Sequence, residues 1–331
     1  MDFVKEMKAK AASQQKKLVF PEGSEPRTIK AARILMDEGL AASITLVGKA
    51  EKINAAASAE GVKLDGITLA DPALSSLCDS YANELYEHRK HKGMTLEQAK
   101  IDIIDPLRWG AMMIRKGEAD AFVAGAENTT GDVLRAGLTI IGTTPGLKTA
   151  SSCFVMSGMD PSYGSDGSLI FSDCAVLPDP SAEQLADIAE SAAKSCQELL
   201  GIEPVVALLS FSTKGSAKHD LVNKVQQAAD ILKTRNVNFP FDGEFQADAA
   251  LVPSVMDSKA PGSLLSGKKV NTLVFPGLEA GNIGYKLVQR FAKANAFGPF
   301  LQGFAKPVSD LSRCATVEDI VVTSAVTLAR A

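Results

Sequence analysis

Ser312 and Arg313 stand side by side in the stretch GPFLQGFAKPVSDLSRCATVEDIV, in a loop opened by Pro307 and Asp310, with Asp319 a few residues on. A hydroxyl donor, a fixed cation and a carboxylate thus fall within one short reach of backbone. Such a set can hold an anionic substrate and deprotonate its partner. Asp319 has a second reading, because Thr316 and Asp319 fit the Thr-x-x-acid pattern in which a carboxylate satisfies amides at a helix start. Val317, Ile320, Val321, Ser324 and Leu328 form one stripe of a closing helix, and Asp319 points away from it, toward solvent or a cleft.

Other candidates carry the same kind of chemistry. GAENTTGDVLRAG follows the strand signal DAFVAGA, which puts Thr129, Thr130, Asp132 and Arg135 at a strand's carboxyl end. Hydroxyls and an arginine suit an oxyanion there, and they equally suit a helix cap with a surface arginine. FPGLEAGNIGYKLVQR runs from a strand through Gly277, Gly281 and Gly284 into a helix expected from Tyr285, with Lys286 close by. Free amides at that start can meet a phosphate, or the segment is an ordinary glycine-rich turn. GSLLSGKK lacks the metal-binding hydroxyl of a P-loop and precedes a strand, so it reads as a polar turn. Arg89 lies in a charged helical stretch with His88 and His91, where a solvated face is the default, and His219 has no recognisable partner.

The elements that must position these residues alternate. KLVFPEG, PRTIKAARILMDEG, ASITLVG, GITLAD and DAFVAGA read as strand, helix and strands of right-handed βαβ units on a parallel sheet. SSCFVMSG and SLIFSDCAVL then flank a Gly, Asp and Pro-rich loop, an antiparallel hairpin that begins a second unit. Ser181 with Gln184 forms a capping-box pattern, Leu185 to Leu199 keep helical spacing, and Gly201 offers a stop. PVVALLSF and NTLVFPG are further strands, with helices around Ala217–Lys233 and Gln246–Asp257. The 331 residues fit two α/β domains around a cleft, with the closing helix docked back on the first. A formal charge of −4 argues against nucleic acid or anionic membrane as partner. Five widely spaced cysteines indicate neither a disulfide framework nor a zinc site. With no signal-peptide pattern and no spanning segment, the expected location is the cytoplasm.

FPEGSEPR, FSDCAVLPDPSAEQLADIA, LSFSTKGSAKHD, DGEFQADAAL, FPGLEAGNIGYKLVQR and GPFLQGFAKPVSDLSR, in this order, resemble the phosphate acetyl/butyryltransferase family, in particular its phosphate acetyltransferases. The resemblance implies a fold like that of isocitrate and isopropylmalate dehydrogenases, with domains at 1–147 plus 300–331 and at 148–299, and a homodimer. It implies reversible acetyl transfer between coenzyme A and phosphate in a ternary complex, with coenzyme A a substrate, no cofactor and no metal. Ser312, Arg313 and Asp319 match the family's catalytic residues. Arg89, Arg135 and Thr130 are implied in substrate binding, with Asn282, Tyr285 and Lys286. A phosphate butyryltransferase, or a non-catalytic acetyl-CoA-sensing domain, shares much of the pattern. The family reads Ser-Arg-Gly, whereas Cys314 follows Arg313 here, so any positive φ at that glycine is in question.

Overall fold

The βαβ alternation of the first 124 residues builds an all-parallel sheet. The computed structural model describes residues 2–331, and the chain forms two compact units, residues 2–144 with 304–331, and residues 145–303. In the first, β1 (Lys17–Phe20), β2 (Ser43–Val47), β3 (Ile67–Ala70), β4 (Ala121–Ala124) and β11 (Val308–Asp310) take the order β11-β4-β1-β2-β3. Asp310 pairs with Ala124 in register, so the segments after β11 and β4 leave the same edge together. Leu18, Phe20, Ile44, Leu46, Ala121 and Val123 alternate onto one face, as a period of two requires. There they join buried residues of α1 (Phe3–Gln14), α2 (Pro26–Asp37), α3 (Ala50–Ala59) and α13 (Val317–Ala329) in one core. Phe122 takes the opposite face and meets α6 (Pro106–Lys116). A Cβ on Gly110 of that helix would lie 2.8 Å from Pro21, so only glycine permits this approach.

The closing helix lies where its apolar stripe demands: Ile320, Val321, Ser324 and Leu328 are buried, Val317 is half-buried and Asp319 is exposed. Its first turn holds the expected capping box between Thr316 and Asp319. The loop carrying Ser312 begins one residue later than Asp310, because Val308–Asp310 extend the sheet as a three-residue edge strand.

Residues 145–303 form a mixed sheet, order β10-β5-β6-β9-β7-β8. The expected hairpin is present as β5 (Ser151–Ser157) against β6 (Leu169–Ser172), antiparallel. β6, β9 (Thr272–Val274), β7 (Val206–Leu209) and β8 (Phe241–Phe245) follow in parallel. Helix α8 (Ala182–Leu200) opens on the Ser181–Gln184 capping box and stops at Gly201 with φ 67°, and α9 spans Asp220–Thr234. The single helix expected over Gln246–Asp257 is two, α10 (Ala247–Leu251) and α11 (Pro253–Lys259). Pro253 has no amide to continue the ladder and holds Val252 extended. β8 and β10 (Asn295–Gln302) carry weak sequence signals: FDGEF is polar and glycine-bearing, and the ladder of β10 is interrupted around Gly298-Pro299.

Helix α12 spans Leu278–Phe291 and so starts seven residues before the expected Tyr285. Gly281 and Gly284 are inside it rather than in a loop ahead of it. Close packing explains both, since a Cβ at Gly281 would lie 2.2 Å from the Asp173 carbonyl oxygen and one at Gly284 3.2 Å from the Phe275 ring. Free amides at Tyr285 are therefore absent. Among the described residues no helix is long and apolar enough to cross a membrane.

Candidate active site

Three turns meet at the carboxyl edge of the parallel sheet. The turn after β1 supplies Glu22, which is 4% exposed. Its carboxylate accepts from the amides of Gly125 (3.0 Å), Ala126 (2.7 Å), Glu127 (3.1 Å) and Asn128 (2.8 Å), and from the Asn128 side chain (2.8 Å). One buried charge thereby fixes the whole turn after β4, which leads into α7 (Thr130–Ala136). Such charge-assisted bonds are the stronger kind.

Arg27, at the start of α2, braces the third turn. Its guanidinium meets Glu25 at 2.6 Å and donates to the backbone oxygens of Arg313 (2.9 Å), Ala315 (2.7 Å) and Ala126 (3.1 Å). The Ser312–Ala315 turn is thus tied to the turn after β4 through main-chain atoms. Its side chains stay free for other work. Ser312, Arg313 and Cys314 are exposed, and the Arg313 guanidinium makes no hydrogen bond or ion pair with another described residue. Ser312 Oγ accepts from the Cys314 amide at 3.2 Å, which leaves its hydrogen for a substrate oxygen. Cys314 does not adopt a positive φ, so this turn forms without the family's glycine.

Asp319 caps α13 with Oδ2 alone, accepting from the Thr316 amide and hydroxyl at 2.8 Å each. Oδ1 has no partner among the described residues. One oxygen holds the helix and the other is open to take a proton, so the two readings of Asp319 are compatible. Thr130 Oγ1 lies 2.5 Å from Asp310 Oδ2, which joins α7 to the end of β11. Burial raises the proton affinity of Asp310 most and Thr130 lowers it, while the Glu22 charge raises it further, for a pKa of about 6.

Not every candidate joins this cluster. Arg135 is on α7, 68% exposed in its side chain and paired with Asp132 at 2.9 Å. Arg89 ends α4 (Cys78–Arg89) half-buried, and no hydrogen bond or ion pair joins it to the Ser312 turn among the described residues. His88 beside it has its proton affinity lowered by burial first and then by Arg115 and Arg89, and His219 caps α9. In residues 145–303, Asn282 donates to the Cys174 carbonyl oxygen (3.0 Å) and accepts from Lys286 (2.9 Å), while Tyr285 stacks on Phe154 at 4.1 Å. Asn282 also lines a groove of about 790 Å³ with Ser210, Phe211, Lys224 and Gly277. Glu22, Arg27 and Gly125 are the participants sequence reading missed. Their signal is an acid, an arginine and a glycine just past strand ends, which becomes specific only once the strands are known to adjoin.

The parallel sheet with hydroxyl, arginine and carboxylate groups at its carboxyl edge defines an α/β protein built to handle a small anionic substrate. The model of the phosphate acetyl/butaryl transferase family matches residues 2–328, and the chain belongs to that family. It is 56% identical to the phosphate acetyltransferase of Treponema pallidum over 331 residues, 99% of this chain and 98% of that one. A phosphotransacetylase structure from Streptococcus pyogenes aligns with TM-score 0.91 at 38% identity, covering 99% of this chain and 97% of that one. A 4-hydroxythreonine-4-phosphate dehydrogenase from Klebsiella pneumoniae shares the fold alone, at TM-score 0.52 and 12% identity over 95% of this chain and 99% of that one. The dehydrogenase-like fold class is thereby borne out.

Proposed function

We propose that the chain transfers acetyl reversibly between coenzyme A and phosphate, acetyl-CoA plus phosphate giving acetyl phosphate plus coenzyme A. The observation that carries this reading is the braced turn whose backbone is engaged by Arg27 while Ser312 and Arg313 present free donors. In the direction of thioester synthesis, Asp319 Oδ1 takes the proton of the coenzyme A thiol and the thiolate attacks the carbonyl carbon of acetyl phosphate. Ser312 donates to the developing oxyanion. Arg313 and Thr130 hold the phosphoryl group that leaves as phosphate, and Arg135 joins them by leaving its exposed pair with Asp132. Arg89, Asn282, Tyr285 and Lys286 are assigned to substrate binding, with the two cations meeting phosphate groups.

Magnitudes rank these roles. If the thiol resembles cysteine, ionising it at pH 7 requires only about 2 kcal/mol. An oxyanion donor contributes about 2.7 to 4 kcal/mol, and positioning two substrates about 7 to 11. The main task of the site is therefore alignment. Mixing the protein with coenzyme A and acetyl phosphate tests the reading directly: thioester should accumulate and phosphate be released in equal amounts, and no thioester overturns it. A homodimer is part of the proposal, because Ile283, Leu287 and Phe291 leave an exposed apolar stripe along α12 that a second copy can cover. A monomer mass by light scattering rejects the dimer.

A further inference from the structure

Asp310 is a buried titratable group to which the mechanism above gives no task. It ends β11 two residues before Ser312, is 6% exposed, and its two oxygens differ. Oδ2 meets Thr130 Oγ1 at 2.5 Å, while Oδ1 is buried with no hydrogen-bond partner. An ionised carboxylate oxygen in that position is costly, because nothing replaces the water it gave up. Thr130, by contrast, is exposed. A hydroxyl has one hydrogen: while Thr130 donates it to Asp310, only lone pairs face an incoming phosphoryl oxygen.

We propose that Asp310 is a positioning residue that sets the direction of the Thr130 hydrogen bond. Protonated, it donates to Thr130 Oγ1 and turns the Thr130 hydrogen outward to a phosphoryl oxygen. This rests on the assignment of Thr130 to the phosphoryl group. The surroundings favour the protonated form. Glu22 adds negative charge from the turn after β1, and the end of β4 offers Gly125, where a Cβ would lie 2.5 Å from Oδ1. From α7 come Thr130 itself and the mutually paired Asp132 and Arg135. Arg27 of α2 is engaged with Glu25 and backbone oxygens. The buried residues of α13 near its start, Ile320, Val321 and Ser324, do not titrate. An anion bound at Thr130 favours the proton on Asp310 further, so phosphate and a proton bind together.

The test is the KM for acetyl phosphate between about pH 5 and pH 8 in the wild type, Asp310→Asn, Thr130→Val and the double variant. The asparagine should turn its NH2 toward Thr130, since the other orientation buries an N–H with no acceptor, and so mimics protonated Asp310. The ratio of KM in Asp310→Asn to that in the wild type, in which the substrate's own ionisation cancels, should be near one at low pH and fall to about one-fifth at high pH, the worth of one hydrogen bond. In the Thr130→Val background the same comparison should stay flat. A ratio that is flat in both backgrounds overturns the proposal, as does an equal fall in both, which makes the effect one of charge alone. A raised KM in Thr130→Val leaves the phosphoryl assignment standing in either case. An unchanged KM in Thr130→Val removes Thr130 from the substrate and defeats both. The wild type gives an independent reading through the ¹³C-carboxyl titration of Asp310: its midpoint should rise on saturation with inorganic phosphate, and an unmoved midpoint rejects the coupling.

Discussion

Asp319 serves two functions with two different oxygens, and substitution can separate them. Asp319→Asn keeps an acceptor for the Thr316 amide but removes the base, so turnover should fall by about 30-fold, the equivalent of the roughly 2 kcal/mol needed to ionise the thiol, while the melting temperature changes little. An unchanged rate would leave Asp319 a helix cap only. Ser312→Ala should lower kcat by about 10² to 10³ with a small effect on KM, whereas Arg313→Ala should raise the KM for acetyl phosphate as well. If coenzyme A affinity alone moved in Arg313→Ala, the phosphoryl assignment would be wrong. Asp310 adds a dependence on pH. Its pKa of about 6 exceeds the unfolded value near 3.9, so the native state binds the proton more tightly and its ionisation destabilises the fold. The stability Asp310 contributes is complete below about pH 4 and is lost as pH rises through about 6, a change of about 3 kcal/mol. Denaturation of wild type and Asp310→Asn at pH 4 and pH 7 should show their difference shifting by most of that amount, about 2 kcal/mol, in favour of the variant. Ser312 and Arg313 were legible in the sequence because their chemistry is in their side chains. The brace was not, since Arg27 acts on a carbonyl oxygen 286 residues away and no local pattern marks that partner.

Between elements, the decisive contact is the end of β4 against the end of β11. Gly125 has φ +113°, and a Cβ there would lie 2.5 Å from Asp310 Oδ1 and 2.6 Å from the backbone of Leu311. Gly125→Ala therefore strains its own backbone and pushes the Ser312 turn outward. The expected result is a loss of about 1–3 kcal/mol in stability with a larger fall in kcat, because a displacement of about 1 Å can cost 10²-fold in rate. Loss of stability with a normal kcat would mean the turn relaxes without harm. Helices with strong end signals were legible, α8 at both ends and α13 at its start. Helix α12 was misread because glycine usually marks a turn, whereas Gly281 is there to clear the Asp173 carbonyl oxygen at 2.2 Å. A distant neighbour imposes that requirement, so local propensity points the wrong way.

At the level of the whole molecule, the βαβ alternation exposed the parallel sheet, while β11 escaped notice because three residues pair only through a partner 186 positions earlier, Asp310 with Ala124. Contacts of such separation slow folding. Refolding from denaturant should accordingly regain activity no earlier than the parallel sheet completes, and activity that precedes burial of the α13 residues would contradict this. The same connectivity sets a clock during synthesis. Residues 145–303 are made after β4 and before β11. At about 5 to 20 residues per second, the sheet waits roughly 10 to 40 s for its last strand. Through that interval the apolar sides of α1 and α2 that α13 later covers stand open to water and to other chains, so the nascent enzyme is inactive and most prone to aggregate over the same seconds.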